Sequence, residues 1–421
     1  MTESRRVIIG RFVRGAAGSG VAVGARTAGA LVLNKLLAVY GGPGGLTLLA
    51  HFQNLMALFT TLPNDGTHVG AVKYLAPLRP GSGRYRAWLG AALLLNGLAG
   101  TLALLALGLL PGPLVGVLRL GAGQTLLLGL GLLLLMGYAL TVAVLLAAGR
   151  LRAYVWLTVG LSAAGPLAVA AVLLRGGSVP QALLAYLLAQ GVLLVPAVVV
   201  AGRAGLLPWL RGPVSRVALR GLGRFLLMAL STLLFTKAVS FVLREVLVQR
   251  FGLEATDLWQ AVAKLSDNYG MVVSSVLGTV YYPRLAALSG EPAAQGRFVR
   301  LVLLVLAPAL AAGLALLWLT RAWLLPLLFE PRFAAAGYLL GPQLLADWLK
   351  FLTWALLFLL TARAQVGRYV VFQAVSTAAY ALLLVLLLPR LGLLAAPWAQ
   401  AADYGLLLLW SLWYFRREVV Y

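Results

Sequence analysis

GAGQTLLLGLGLLLLMGYALTVAVLLA, residues 121–147, contains no charged side chain. A helix rises about 1.5 Å per residue, so this stretch is longer than the roughly 30 Å of a bilayer's hydrocarbon core. The same kind of stretch recurs along the chain. Apolar runs fall at about 14–38, 45–63, 87–110, 121–147, 153–174, 181–202, 223–248, 256–283, 298–320, 336–361, 369–388 and 393–415. Gly and Pro punctuate the connections, as in GGPGG (41–45), PGP (111–113) and RGGSVP (175–180). The reading is an all-α polytopic membrane protein of about 12 transmembrane helices. Composition agrees. Of 421 residues, 62% are hydrophobic and 11% charged, against roughly a quarter charged in a soluble domain.

Net charge is +23, but its distribution is that of membrane loops and not of a nucleic-acid-binding face. With the spans above, 22 of the Lys and Arg residues fall on one side and seven on the other. The richer side is expected to be cytoplasmic. Both termini are then expected in the cytoplasm. The basic start (Arg5, Arg6, Arg11, Arg14) superficially resembles a secretion signal. Arg26 interrupts the apolar stretch that follows, which predicts a retained first helix. There is no cysteine, so a disulfide framework and thiolate chemistry are excluded.

The stretch GRAGLLPWLRGPVSRVALRGLGR (202–224) is rich in Arg, Gly and Pro and separates six spans from six. The expected organisation is an N-terminal lobe (1–202), a cytoplasmic linker (203–222) and a C-terminal lobe (223–421). Two six-span halves of the same orientation form a parallel repeat, although no repeat is legible residue by residue.

Charges inside spans carry the most information. A charge at the bilayer centre costs at least about 2.5–3.5 kcal/mol and usually faces a wet cavity or a partner. Arg26 lies mid-way in the first span with no local partner. Asp65, His68 and Lys73 cluster where the second span is expected to end. Lys237 and Arg244 are seven apart, which predicts one helix face. Lys264 with Asp267, and Asp347 with Lys350, are three apart and can meet. Asp403 stands alone in the last span. One reading is a hydrated cationic cavity in which Arg26, Lys73, Lys237, Arg244, Lys264 and Lys350 bind a polyanionic head group, since Arg and Lys are phosphate ligands. In that reading Asp267, Asp347 and Asp403 are candidates for ion coupling. The alternative is structural: intrahelical ion pairs, an interfacial Arg244 beside Glu245, and a hydrogen bond from Asp403 to a neighbouring helix. No metal-ligand cluster, nucleotide-binding motif or hydrolase motif is present, so no cofactor and no enzymatic activity are expected.

Several strings resemble the Wzx-type lipid-linked oligosaccharide flippases of the multidrug/oligosaccharidyl-lipid/polysaccharide exporter superfamily, and among them the flippases for the lipid III of enterobacterial common antigen. They are NKLLAVYGGPGGL (34–46), HFQNL (51–55), VKYLA (72–76), RFLLMAL (224–230), LWQAVAKLSDNYG (258–270), YYPRLAAL (281–288), QLLADWLK (343–350) and WYFRRE (413–418). They run in order across both halves. Arg26, Arg244, Asp267, Asp347 and Lys350 fall on positions that match. Lys237, Lys264 and Asp65 do not clearly match, and a histidine at His68 departs from the pattern.

The resemblance implies two six-helix lobes forming a V-shaped central cavity. It implies alternating access that moves an undecaprenyl-pyrophosphate-linked oligosaccharide, of O-antigen or common-antigen type, to the periplasmic leaflet. A polysaccharide polymerase and a chain-length regulator are the implied protein partners. Three other readings stay open: a multidrug exporter of the same superfamily, a peptidoglycan-precursor flippase, which usually has fourteen spans, and a membrane glycosyltransferase or polymerase, which needs larger loops.

Overall fold

The structure is a computed structural model, which describes residues 5–110, 112, 116–207, 215–288, 291–363 and 365–416. The protein is all-helical in this range. Its long helices are α1 (Arg5–Tyr40), α2 (Gly45–Thr61), α4 (Gly83–Leu109), α5 (Ala122–Ala147), α6 (Leu151–Leu173) and the pair α7 (Val179–Val192) and α8 (Leu194–Arg203). They are followed by α9 (Arg216–Thr232), α10 (Val239–Val276), α12 (Pro292–Leu328), α13 (Gly337–Ala362), α14 (Val366–Leu391) and α15 (Ala395–Tyr414). Short α3 (Val69–Leu75) and α11 (Tyr282–Ala287) complete the set. Among the described residues, nine helical stretches are long and apolar enough to cross a membrane. The chain is therefore a multi-pass bundle.

Helix ends follow local chemistry. At the expected RGGSVP turn, Gly176 takes a left-handed φ of 78°. The backbone N–H of Ser178 then donates to Gln181 Oε1 at 3.0 Å, and Pro180 occupies the first turn of α7, where its missing N–H costs nothing. Two expected loops are shorter than the apolar pattern implies. Between the seventh and eighth spans, helix runs through except at Gly252, whose φ 78°, ψ 172° only glycine adopts readily. Between the last two spans the break is Gly392, φ 56°, ψ −133°.

The second span corrects an expectation. Asp65, His68 and Lys73, expected where that span ends, lie within continuing helix. Leu62–His68 is a π-helical turn that carries α2 directly into α3. Pro63 has no N–H for the regular ladder, and the wider turn accommodates it. Two further π turns occur at Leu233–Ala238 and Leu277–Tyr281.

The chain divides into two compact units, Met1–Phe241 and Val242–Tyr421. The central part of the expected linker, 208–214 with Trp209 and Arg211, lies outside the described residues, and α9 begins at Arg216. In the N-terminal unit, α1 packs along α6, α6 along α7, and α9 against the π turn of the second span. Gly66 and Gly70 allow that last approach. A Cβ on Gly66 would lie 2.8 Å from Leu226, and one on Gly70 2.6 Å from Leu222. In the C-terminal unit, α13 is the central element, packed on α12, α14 and α15. Trp156, Trp318, Trp398 and Trp413 are exposed, as residues on a lipid-facing surface are.

Candidate functional site

Arg26 occupies the middle of α1, and Gly29 follows it by one turn. A Cβ on Gly29 would come within 2.5 Å of the Ser162 carbonyl oxygen, so the glycine lets α1 lie directly on the backbone of α6. Pro166, inside α6, offers no N–H to that carbonyl. Beside this bare crossing is a cavity of about 200 Å³. Arg26 forms part of its wall with Gln53 of α2, Ser162 of α6, and Tyr186 and Gln190 of α7; Leu33, Leu161 and Pro166 supply apolar wall.

The polar groups of this wall are organised. Arg26 Nη2 donates to the Tyr154 hydroxyl at 3.4 Å. The Tyr186 hydroxyl is hydrogen-bonded to the side chains of both Gln53 and Gln190. Gln190 is 8% exposed. A Cβ on Gly165 would lie 2.5 Å from the Tyr186 ring and 3.3 Å from the Gln190 amide nitrogen. Glycine at 165 is therefore what admits the Tyr186 ring. None of the described residues lining the cavity is acidic, so Arg26 gives it a positive field that no wall residue cancels.

The other sequence-selected cations of this unit lie elsewhere. Lys73 on α3 stands over the rings of Phe225 and Tyr74, at 5.3 and 5.6 Å from their centroids, a cation–π arrangement. Lys237, on the π turn 233–238, lies within electrostatic range of Asp65 on the π turn of the second span. His68 lies within range of Arg26.

In the C-terminal unit the charges are held by neighbours. Asp347 is fully buried. It accepts hydrogen bonds from Ser266 at 2.6 Å, Gln343 at 3.3 Å and the Tyr269 hydroxyl, and it is ion-paired with Lys350. Gln343 also donates to Gln400 at 3.2 Å, tying α13 to α15. The Lys350 ammonium lies 4.9 Å from the Phe351 ring and 5.6 Å from that of Trp354. Asp403 is buried and accepts from the Ser376 hydroxyl at 2.8 Å. Arg244 is buried, 5.9 Å from the Trp259 ring, and both it and Lys264 lie within electrostatic range of Asp267. Asp267 itself is exposed.

Lys237 and Arg244 thus have different neighbours despite their spacing. Lys237 stands at the end of the π turn, in range of Asp65, and Arg244 lies on α10 against Trp259. Among the described residues, no group of three or more His, Asp or Glu converges in a way that could hold a metal ion. The residues that sequence reading passed over are Gln53, Tyr154, Tyr186 and Gln190. The available signal was two glutamines inside otherwise apolar runs, HFQNL and LLAQGVLL. The ion pair from Arg332 to buried Asp257, at 3.5 Å, was also not anticipated.

No protein-family model matches the chain. The lipid III flippases of Escherichia coli K12 and Shigella flexneri are each 28% identical to it over 412 residues, covering 90% of this chain and 94% of theirs. The chain is a membrane transporter related to the lipid III flippases. Solved structures show the same fold. An inward-facing multidrug resistance MATE family transporter of the MOP superfamily superposes with TM-score 0.74 at 14% identity, covering 93% of this chain and 94% of that one. The lipid II flippase MurJ in an inward closed conformation gives 0.68 at 10% identity, covering 96% and 87%. The chain shares its fold with these transporters, and the protein is a multi-pass component of the bacterial inner membrane.

Proposed function

We propose that the protein flips undecaprenyl-pyrophosphate-linked oligosaccharide repeat units from the cytoplasmic to the periplasmic leaflet by alternating access. The observation that carries this is the end-to-end likeness to the lipid III flippases, joined to a cation set in a polar cavity of the N-terminal unit. A pyrophosphate bearing sugars cannot cross roughly 30 Å of hydrocarbon unaided. A hydrated cationic pocket lowers that barrier, and the isoprenoid tail stays in lipid throughout.

The finer architecture, twelve spans in two six-helix lobes, belongs to the same proposal. It is supported by dividing the two longest apolar stretches at Gly252 and Gly392, and by counting α2 with its π continuation as a span. Local structure also repeats between the halves. The proposed second and eighth spans both end in a π turn followed by a short helix, 62–75 and 277–287. A 3₁₀ turn precedes the fourth span (Gly116–Leu118) and another the tenth (Pro331–Ala336). Within each unit, contacts join segments that charge counting puts on one side of the membrane. The Tyr85 hydroxyl meets the Leu206 carbonyl at 2.9 Å, Arg363 meets Gln295 at 2.7 Å, and Arg332 meets Asp257. Cytoplasmic termini complete this topology.

A second reading, a multidrug exporter, is favoured by the fold alone. The positive field of the Arg26 cavity opposes a cationic drug. For ion coupling, Asp267 is the exposed member of the three acidic candidates, whereas Asp347 and Asp403 are engaged in buried bonds.

The test is reconstitution in liposomes carrying a fluorescent undecaprenyl-pyrophosphate oligosaccharide in both leaflets, with an external glycosidase reporting exposure. Wild type should expose the inner pool well above empty liposomes, and Arg26→Ala should slow it. A verified, folded wild type no faster than empty liposomes would sink the reading.

A further inference from the structure

The cavity beside Arg26 has more chemistry than an anion site requires. We infer that it is a glycosyl-phosphate subsite, in which the linked side chains of Gln53, Tyr186 and Gln190 read the sugar next to the phosphate while Arg26 holds the phosphate. This rests on the proposed flippase reading and adds to it which part of the substrate the N-terminal unit inspects.

Its size limits the occupant. About 200 Å³ is below the roughly 300–1,000 Å³ of pockets that enclose a whole drug-sized ligand. It therefore takes one moiety of a large substrate. Its wall is divided. Arg26 is the cationic part, and a guanidinium has five donors, of which Tyr154 engages one nitrogen. The amide–phenol–amide chain is the neutral polar part. Gln190 has two donors and a carbonyl with two lone pairs, so bonding to Tyr186 leaves it able to serve ligand hydroxyls. Leu33, Leu161, Pro166 and the Tyr186 ring supply the apolar surface that the C–H face of a pyranose needs. An anion joined to a ring of hydroxyls meets all three parts. Inorganic phosphate uses the first alone, and a neutral sugar lacks it.

The room is built deliberately into the backbone. Gly29 admits the close crossing of α1 and α6, and Gly165 admits the Tyr186 ring and the Gln190 amide. Gln190 is nine-tenths buried and faces the cavity. A hydrogen-bonding site of this kind rejects a ligand that lacks the matching group, because its buried polar atoms are then left unpaired.

The experiment uses the full chain in lipid nanodiscs and three soluble probes: glucose 1-phosphate, inorganic phosphate and methyl glucoside. Binding is followed by saturation-transfer NMR and titration calorimetry. Wild type should bind glucose 1-phosphate roughly tenfold more tightly than either single-feature probe. Gln190→Leu should bring glucose 1-phosphate down to the level of phosphate and leave phosphate binding unchanged. Arg26→Gln should lose both anions. Tyr186→Phe removes a single oxygen and supplies the same test if Gln190→Leu fails to fold. Equal binding of phosphate and glucose 1-phosphate by wild type, or an unchanged ratio in folded Gln190→Leu or Tyr186→Phe, overturns the inference. Liposome flipping separates the two claims. A protein that flips the lipid-linked oligosaccharide without probe selectivity retains the function and loses this subsite. One that selects glucose 1-phosphate and flips nothing retains the subsite and loses the function.

Discussion

Arg26 and Lys350 are both cations in the middle of apolar helices, and their surroundings are opposite. Arg26 is exposed on α1, touches one phenol and borders a cavity with no acidic residue among its described walls. Lys350 is paired with a fully buried Asp347, which also holds Ser266, Tyr269 and Gln343. The first arrangement leaves charge available to a ligand, whereas the second uses charge to join α10, α13 and, through Gln400, α15. Intramembrane charge is thus two different signals in one chain, and only the neighbours tell them apart.

The sharpest way to break this comparison is at Asp347. Asp347→Ala leaves Lys350 without its partner and should destabilise the protein by about 3–5 kcal/mol. The readout is loss of monodisperse protein on size exclusion and a large fall in Tm. Replacing both members, Asp347→Asn with Lys350→Gln, should recover much of that loss. If Asp347→Ala is as stable as wild type but transports nothing, the network is functional and the contrast fails. Next in size is Arg26→Ala. Loss of a charge-assisted contact of about 1.5–3 kcal/mol predicts roughly ten- to a hundredfold slower flipping, with Tm little changed. A smaller structural effect is expected at Gly29→Ala. Its Cβ would meet a backbone oxygen rather than a flexible side chain, so α1 and α6 must separate at a cost of about 1–3 kcal/mol, read as a lower Tm and weaker flipping together. The smallest is Asp403→Asn, which keeps an acceptor for Ser376. It should cost no more than about 1 kcal/mol and leave the pH profile of flipping unchanged; a shifted profile would move Asp403 from structure to ion coupling.

Much of the fold was legible because membrane insertion imposes one-dimensional rules. Apolar length, Gly and Pro punctuation and loop charge depend little on partners distant in sequence. The second span, expected to end near Pro63, continues further, because a π turn over Leu62–His68 carries the helix onward. The candidate site was legible only through its charged member. Arg26 stands out in an apolar run, but Gln53, Tyr186 and Gln190 are unremarkable on their own helices and acquire meaning by converging from α2 and α7.

The sequence by itself determined that the chain is an all-helical membrane protein, where most helices begin and end, and which residues place charge in the bilayer. Only the tertiary structure decided which of those charges are neutralised. Pairing depends on which helix faces which, and that is set by close approaches such as Gly29 on Ser162 and Gly165 on Tyr186. It made Asp347 and Lys350 a joint between helices, set Lys73 over aromatic rings, and left Arg26 facing a cavity.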